Sequence, residues 1–443
     1  MVKPRAEQGK KLVSGVLGNL LWLFFDKAYG ALISLFIYGL LARHLEQELF
    51  GVWNYILAFG TIIPAIAGLG LNFILVKKIK ETPGLTSLII GNALVLRASL
   101  GLIVGVLFFV FYLVIGINAE PKYLMVVVLI FVSQVLLNSN VFIYKNEADL
   151  NNRQTVISRN IALTVGSLLR FLGIQYDFGL EFFAFTAIAE YGLFLFVSWL
   201  QFNTLKEEPL EIYLNKRISS YLFKQGLPLM LSAVTVILYL KIDQLIIGFL
   251  LDNKSVGVYA AASRISEMFY AVPVIISSVY YPKIVELKRN FIKQRNLLRY
   301  FYFIILVITG MVTIFISFFS DEIIIVLFGK GYLLSSQVLK IYAWSILFMA
   351  LLVSSSKFLL SLNRGDIIFK RSLIGLVSNV VLNFILIPNY GILGAAWATL
   401  ISYGLAAYFA NFFFSVLRPV MIDQLLSPFY FLKTSFAKGR SER

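Results

Sequence analysis

The sequence predicts an all-α integral membrane protein of about twelve transmembrane helices. Three observations carry that expectation. Of 443 residues, 59% are hydrophobic and only 14% are charged, where soluble domains carry about 25% charged residues. Apolar stretches of about 20 residues recur along the chain, each long enough to cross about 30 Å of hydrocarbon as a helix. Lys and Arg crowd into alternate connections, as expected of a chain that crosses a bilayer back and forth. β-Barrel spans, which alternate apolar and polar residues in shorter segments, do not fit.

The first stretch, about 18–42, follows Lys3, Arg5, Lys10 and Lys11. It resembles a signal peptide but continues to Leu41 without a small-residue cleavage site, so it reads as an uncleaved span. Five more follow at about 50–76, 87–116, 123–143, 155–174 and 180–203. A second set of six runs at about 222–251, 256–282, 299–320, 333–361, 367–388 and 391–417. The predicted organisation is a cytoplasmic N-terminus (1–17), an N-lobe (18–205), a cytoplasmic linker (206–221), a C-lobe (222–417) and a cytoplasmic tail (418–443). The two ends and the alternate connections hold 28 Lys and Arg. Arg43, Lys122, Lys254 and Lys330 are the four in the other connections. That asymmetry places both termini in the cytoplasm.

Several function classes are excluded. The chain has no cysteine and one histidine, His44, so disulfides, thiol chemistry and multi-histidine metal sites are ruled out. There is no Walker-type phosphate loop and no loop long enough to form a catalytic domain. The net charge of +16 is dispersed between spans, which suits anionic lipid headgroups rather than nucleic acid.

The chain also reads as duplicated. Phe50-Gly51-Val52-Trp53 opens span two, and Val256-Gly257-Val258-Tyr259 opens span eight. The same offset sets Lys77 on Lys283, and each span carries a proline, Pro64 and Pro273. Six spans per half give a parallel repeat, with a substrate expected at the interface of the halves.

Beyond those grouped with the connections at span ends, such as Arg159 and Arg371, eleven ionisable residues lie inside the apolar stretches: Asp26, Lys27, Arg97, Arg170, Glu190, Lys241, Asp243, Arg264, Glu267, Lys340 and Lys357. Each costs roughly 2.5–3.5 kcal/mol at the bilayer centre. They must therefore pair, reach the interface or line water. Seven are basic and four acidic, so the cavity they imply is cationic and its passenger anionic. Arg264 and Glu267, three apart, share a helix face. Lys241 and Asp243 point to different surroundings. Glu190 and Lys340 are candidates to pair across the cavity. Arg170 and Lys357, near span ends, read as snorkelling. Asn379 and Asn383 share a face and suit interhelical hydrogen bonds, and Gly391 with Gly394 suits close helix approach.

Three stretches carry a family resemblance. They are Leu41–Leu45 with Phe50-Gly51, Ala67–Leu71 and Leu75–Lys78; then Gly226–Leu229, Lys241–Gln244, Val256–Ile265 and Pro282; then Ile387–Thr399. These resemble the polysaccharide-transporter (O-antigen flippase) branch of the multidrug/oligosaccharidyl-lipid/polysaccharide exporter superfamily. Glu46-Gln47-Glu48 departs from the frequent Gly-Pro turn in loop one. The resemblance implies two six-helix lobes forming a V-shaped central cavity that opens alternately to either side. It also implies a substrate, an undecaprenyl-diphosphate-linked oligosaccharide moved between leaflets of the bacterial plasma membrane.

On that footing Arg97, Arg264, Lys241 and Lys27 are the expected substrate contacts, with Lys10 and Lys11 upstream drawing headgroups in. Asp26, Asp243, Glu267 and Glu190 are expected to couple an ion or balance charge. No cofactor is expected beyond a proton or sodium gradient. The expected partners are the lipid-linked substrate, membrane lipids and glycan-assembly proteins such as a polysaccharide polymerase. The rival readings are a multidrug antiporter, which calls for an acidic cavity, and a membrane polymerase or ligase, which calls for a larger outward loop.

Overall fold

The computed structural model describes residues 5–115, 121–204, 210 and 215–427. The first residues of the expected N-terminal segment, half of the 206–221 linker and the tail from 428 onward lie outside the described residues, as do the side chains of Lys10 and Lys11. Two compact units divide the chain between Ile237 and Leu238.

All described secondary structure is helical. The first unit holds α1 (Arg5–Gly60), α2 (Ile62–Ala67), α3 (Asn72–Glu81), α4 (Thr86–Ile115), α5 (Leu124–Ser139), α6 (Ile143–Ala148), α7 (Asn152–Gln175) and α8 (Leu180–Thr204). It also takes the beginning of α9 (Lys216–Leu250). The second unit holds the rest of α9, then α10 (Asn253–Phe269), α11 (Ala271–Glu286), α12 (Phe291–Phe318), α13 (Ser320–Phe328) and α14 (Leu333–Tyr342). It continues with α15 (Ser345–Ser361), α16 (Gly365–Gly404), a π-helical turn at Leu405–Phe409 and α17 (Ala410–Phe413), and residues 418–427 are also helical.

Among the described residues nine helices are long and apolar enough to cross a membrane, or ten with the bent pair α14 and α15. Two of these are each a pair of helices joined at a break. α1 breaks at Glu46, with φ 55°, and α16 at Gly391, with φ 56°. Counting both sides of each break, each of the twelve apolar stretches falls largely on helix among the described residues.

The breaks have readable causes. Proline has no N–H to bond the carbonyl four residues back. For Pro64 and Pro273 those carbonyls belong to Gly60 and Phe269, and α1 and α10 end at those residues. A second interruption follows at Gly68–Leu71, where Leu69 and Gly70 take φ 50° and 59°. α9 packs directly on it. A Cβ on Gly70 would lie 2.5 Å from Leu229 Cβ, and one on Gly226 would lie 2.6 Å from the Leu69 carbonyl oxygen. Lipid offers no hydrophobic drive between helices, so such small-residue contacts hold them together. Gly391 works differently from the expected close approach. Nothing lies within 4 Å of where its Cβ would be, and its role is the positive φ of the turn.

Each unit gathers an apolar core at matching helix ends. In the first, Leu75 and Ile79 meet Ile89, Ala93, Phe142 and Leu222. In the second, Ile284 meets Leu298, Phe301, Leu359, Ile367 and Leu417.

Candidate functional site

In the first unit the membrane-embedded acids are covered and paired. Asp26 on α1 is 3% exposed, and its Oδ2 accepts a hydrogen bond from Arg159 Nη1 of α7 at 2.7 Å. Lys27, the next residue, is exposed. Glu190 on α8 pairs with Arg170 of α7 at 2.7 Å, and Arg170 Nε also donates to Thr186 Oγ1 at 3.2 Å. Gly166 leaves the room, since a Cβ there would meet Glu190 Oε2 at 2.7 Å. Arg170 is thus an ion-pair partner rather than a snorkelling residue, and Glu190 does not wait for Lys340.

Arg97 is buried and serves the interrupted second span. Its Nη2 donates to the Gly68 carbonyl and to Asn72 Oδ1, both at 3.0 Å, and its Nη1 donates to the Tyr144 hydroxyl at 3.0 Å. Tyr144 in turn donates to Asn72 Oδ1 at 2.6 Å, and Asn138 Nδ2 donates to the Arg97 carbonyl at 3.0 Å. The Gly68 carbonyl also accepts from the Leu71 N–H at 3.0 Å, and the fixed guanidinium fork ties that turn to Asn72 and Tyr144. In this conformation Arg97 clamps the break, and its fork is not presented to an anionic substrate.

In the second unit Asp243 is 1% exposed and meets neutral donors only. The Tyr259 hydroxyl donates to it at 2.6 Å and Asn383 Nδ2 at 2.7 Å, and Thr399 Oγ1 donates as well. Asn383 Nδ2 lies 3.1 Å from Asn379 Oδ1, while Asn383 Oδ1 is buried without a donor among the described residues. One carboxylate thus sits among amide and hydroxyl oxygens from α9, α10 and α16. Lys241, two residues before it, turns elsewhere. Its Nζ donates to both Glu267 oxygens, at 3.0 and 3.2 Å. Glu267 therefore has Lys241 as an ion-pair partner, and Lys241 does not balance Asp243.

Arg264, one turn before Glu267 on α10, is exposed. Lys340 pairs with Asp321, 3.1 Å to each oxygen, within its own unit. Hydrogen bonds from Ser336 and Lys340 hold that exposed Asp321 below its ordinary carboxylate range. Lys357 lies over the Tyr281 ring. Arg371, grouped with loop residues by its sequence position, is fully buried on α16, bonded to Ser355, Ser356 and Asn411.

Reasoning from sequence missed Arg159 as an intramembrane charge because it stands close to the start of its span. It also passed over Tyr259 and Thr399 as partners of Asp243, although both fall in the stretches quoted for the resemblance.

Comparison with known proteins adds a family and a fold. The family model described as polysaccharide biosynthesis protein matches residues 16–288, and the MatE model matches residues 228–385. The capsular polysaccharide biosynthesis protein CapF of Staphylococcus aureus is 23% identical over 87% of this chain and 95% of its own length. The probable low-salt glycan biosynthesis flippase Agl15 of Haloferax volcanii is 29% identical over 42% of this chain. That match spans only 40% of Agl15 itself. The solved structure of the lipid II flippase MurJ in an inward closed conformation superposes with a TM-score of 0.70. It is 16% identical and covers 94% of this chain and 92% of that one. At that identity the likeness establishes the fold.

Proposed function

The chain belongs to the polysaccharide biosynthesis protein family, within the multidrug/oligosaccharidyl-lipid/polysaccharide exporter superfamily, and from that premise we propose that it is a lipid-linked oligosaccharide flippase working by alternating access. One observation carries the reading. The four membrane-embedded acids named above are covered, Asp26 and Asp243 at 3% and 1% exposure and the Glu190 and Glu267 side chains at 13% and 14%. Lys27 and Arg264 are exposed. The charge offered to a passenger is positive. Lysine and arginine would replace water around a diphosphate while the polyprenyl tail stays in lipid, offsetting the desolvation that otherwise blocks headgroup crossing.

The substrate is an undecaprenyl-diphosphate-linked repeat unit of O-antigen, capsule or exopolysaccharide, carried across the bacterial plasma membrane with both termini cytoplasmic. The names of CapF and Agl15 support a glycan passenger. Binding alone drives no net transport. Of the four acids, Asp243 has neutral partners while Asp26, Glu190 and Glu267 each face a cation. A lone carboxylate among neutral oxygens can exchange a proton or a sodium ion, so Asp243 is the coupling residue in this reading.

Deleting the protein and identifying the lipid-linked glycan left on the cytoplasmic leaflet tests the proposal. The expected result is a polyprenyl-diphosphate oligosaccharide that reagents outside the cell cannot reach. Unchanged lipid-linked glycans with new drug sensitivity would favour the multidrug reading. Accessible but unpolymerised repeat units would favour a polymerase.

A further inference from the structure

We propose that Arg159 is a further phosphate-contacting residue, held in place by Asp26, and that with Lys27 it forms a two-cation grip for a diphosphate on the first unit. This rests on the flippase reading above. Arg159 is fixed from two sides. Its Nη1 donates to the buried Asp26 of α1 at 2.7 Å, and its guanidinium lies over the ring of Phe194 from α8, 5.6 Å from the centroid. Three helices thus set one side chain.

Arg159 nonetheless keeps 39% of its side chain exposed, against 2% for Asp26. The contact with Asp26 occupies Nη1, so the edge formed by Nε and Nη2 can take two phosphate oxygens. Guanidinium offers that fork and ammonium does not. Lys27 stands about 100° further round α1 and is exposed. Two cations against one buried acid leave a net positive charge, which suits an anion.

The depth argues the same way. Arg159 is seven residues into α7, about 10 Å along its axis at 1.5 Å per residue. A long cation at that depth usually snorkels to the interface, but the hold of Asp26 and Phe194 keeps this one back. Its exposed edge would be costly against lipid and is well used against water or phosphate. Asp26 then becomes a positioning residue instead of an ion carrier.

The test is binding of farnesyl diphosphate to the purified full chain in lipid nanodiscs, with farnesyl monophosphate as the control. The wild type should prefer the diphosphate. Arg159→Ala should weaken diphosphate binding about tenfold or more and erase that preference, and Arg159→Lys should restore part of it. Asp26→Asn should weaken diphosphate binding several-fold. Because Arg159→Ala strands a buried acid, Asp26→Asn combined with Arg159→Gln removes both charges and keeps a folded protein to measure; it should show the same loss. Wild-type affinity in that folded double variant would overturn the proposal. An equal loss for both ligands with a lowered melting midpoint would make Arg159 structural and overturn it too. No binding of either ligand by the wild type would overturn the flippase reading, and this inference with it.

Discussion

Among single residues, the useful division is between charges that hold the protein together and charges left to meet a substrate. Lys241 and Glu267 are mutual partners with 19% and 14% of their side chains exposed. Breaking such a pair by removing one member costs about 3–5 kcal/mol when buried, less where water reaches it. Lys241→Ala and Glu267→Ala should each lower the melting midpoint, and the double variant should recover most of it. Arg264→Ala should cut transport sharply, with Arg264→Lys intermediate. A fall in the midpoint as large as that of Lys241→Ala would take the substrate role from Arg264. Asp243→Asn keeps the shape of the nest while removing its charge. It should leave a folded protein whose transport no longer responds to the ion gradient, and an undiminished response would end the coupling role. These pairings were not legible in the sequence, for a physical reason. Spans apolar all round give no periodicity that fixes their rotation. The eleven charges could be named, but whether Glu267 turned to Arg264 on its own helix or to Lys241 on another could not.

At the level of elements, the sequence was far more telling. Apolar length alone located the stretches that fold as helices, and Pro64 and Pro273 each stand four residues past the end of a helix, α1 and α10. What it left out was the clamp on the second break, because a single arginine in an apolar run looks the same whether it caps carbonyls or awaits a ligand. Arg97→Ala would strip the guanidinium's hydrogen bonds from the Gly68 carbonyl, Asn72 and Tyr144. Hydrogen bonds to a charged group contribute about 1.5–3 kcal/mol each, so expression and melting midpoint should drop before any transport is measured. A stable Arg97→Ala with defective transport would return Arg97 to the list of substrate contacts. Two glycines separate steric from conformational demands. Gly391→Ala meets no neighbour, but at φ 56° and ψ −141° its backbone suits essentially glycine alone, and the change should cost about 1–3 kcal/mol. Gly226→Ala would press on the Leu69 carbonyl at 2.6 Å, where backbone must move. It should be the more damaging of the two in a thermal melt.

For the whole molecule, the two units share local features that fit the duplication expected from the Gly51 and Gly257 anchors. Each breaks a span at the residue four before a proline, and each packs a core from the matching ends of its helices. Those core ends are also where Lys77, Lys78 and Lys80 on one unit and Lys283, Lys288 and Arg289 on the other are found. On the proposed topology six crossings separate equivalent positions, and the positive-inside rule predicts that these basic ends are cytoplasmic. Arg159 and Arg371, placed within α7 and α16, no longer count as loop charges. Their loss barely changes the ratio of 28 to four. Reporter fusions near Gln294 should therefore read as cytoplasmic and fusions near Lys330, between α13 and α14, as exported. An exported signal at Gln294 would mean that an odd number of crossings precedes it. That would break the duplication as well as the topology, because the two basic core ends could then no longer share a face.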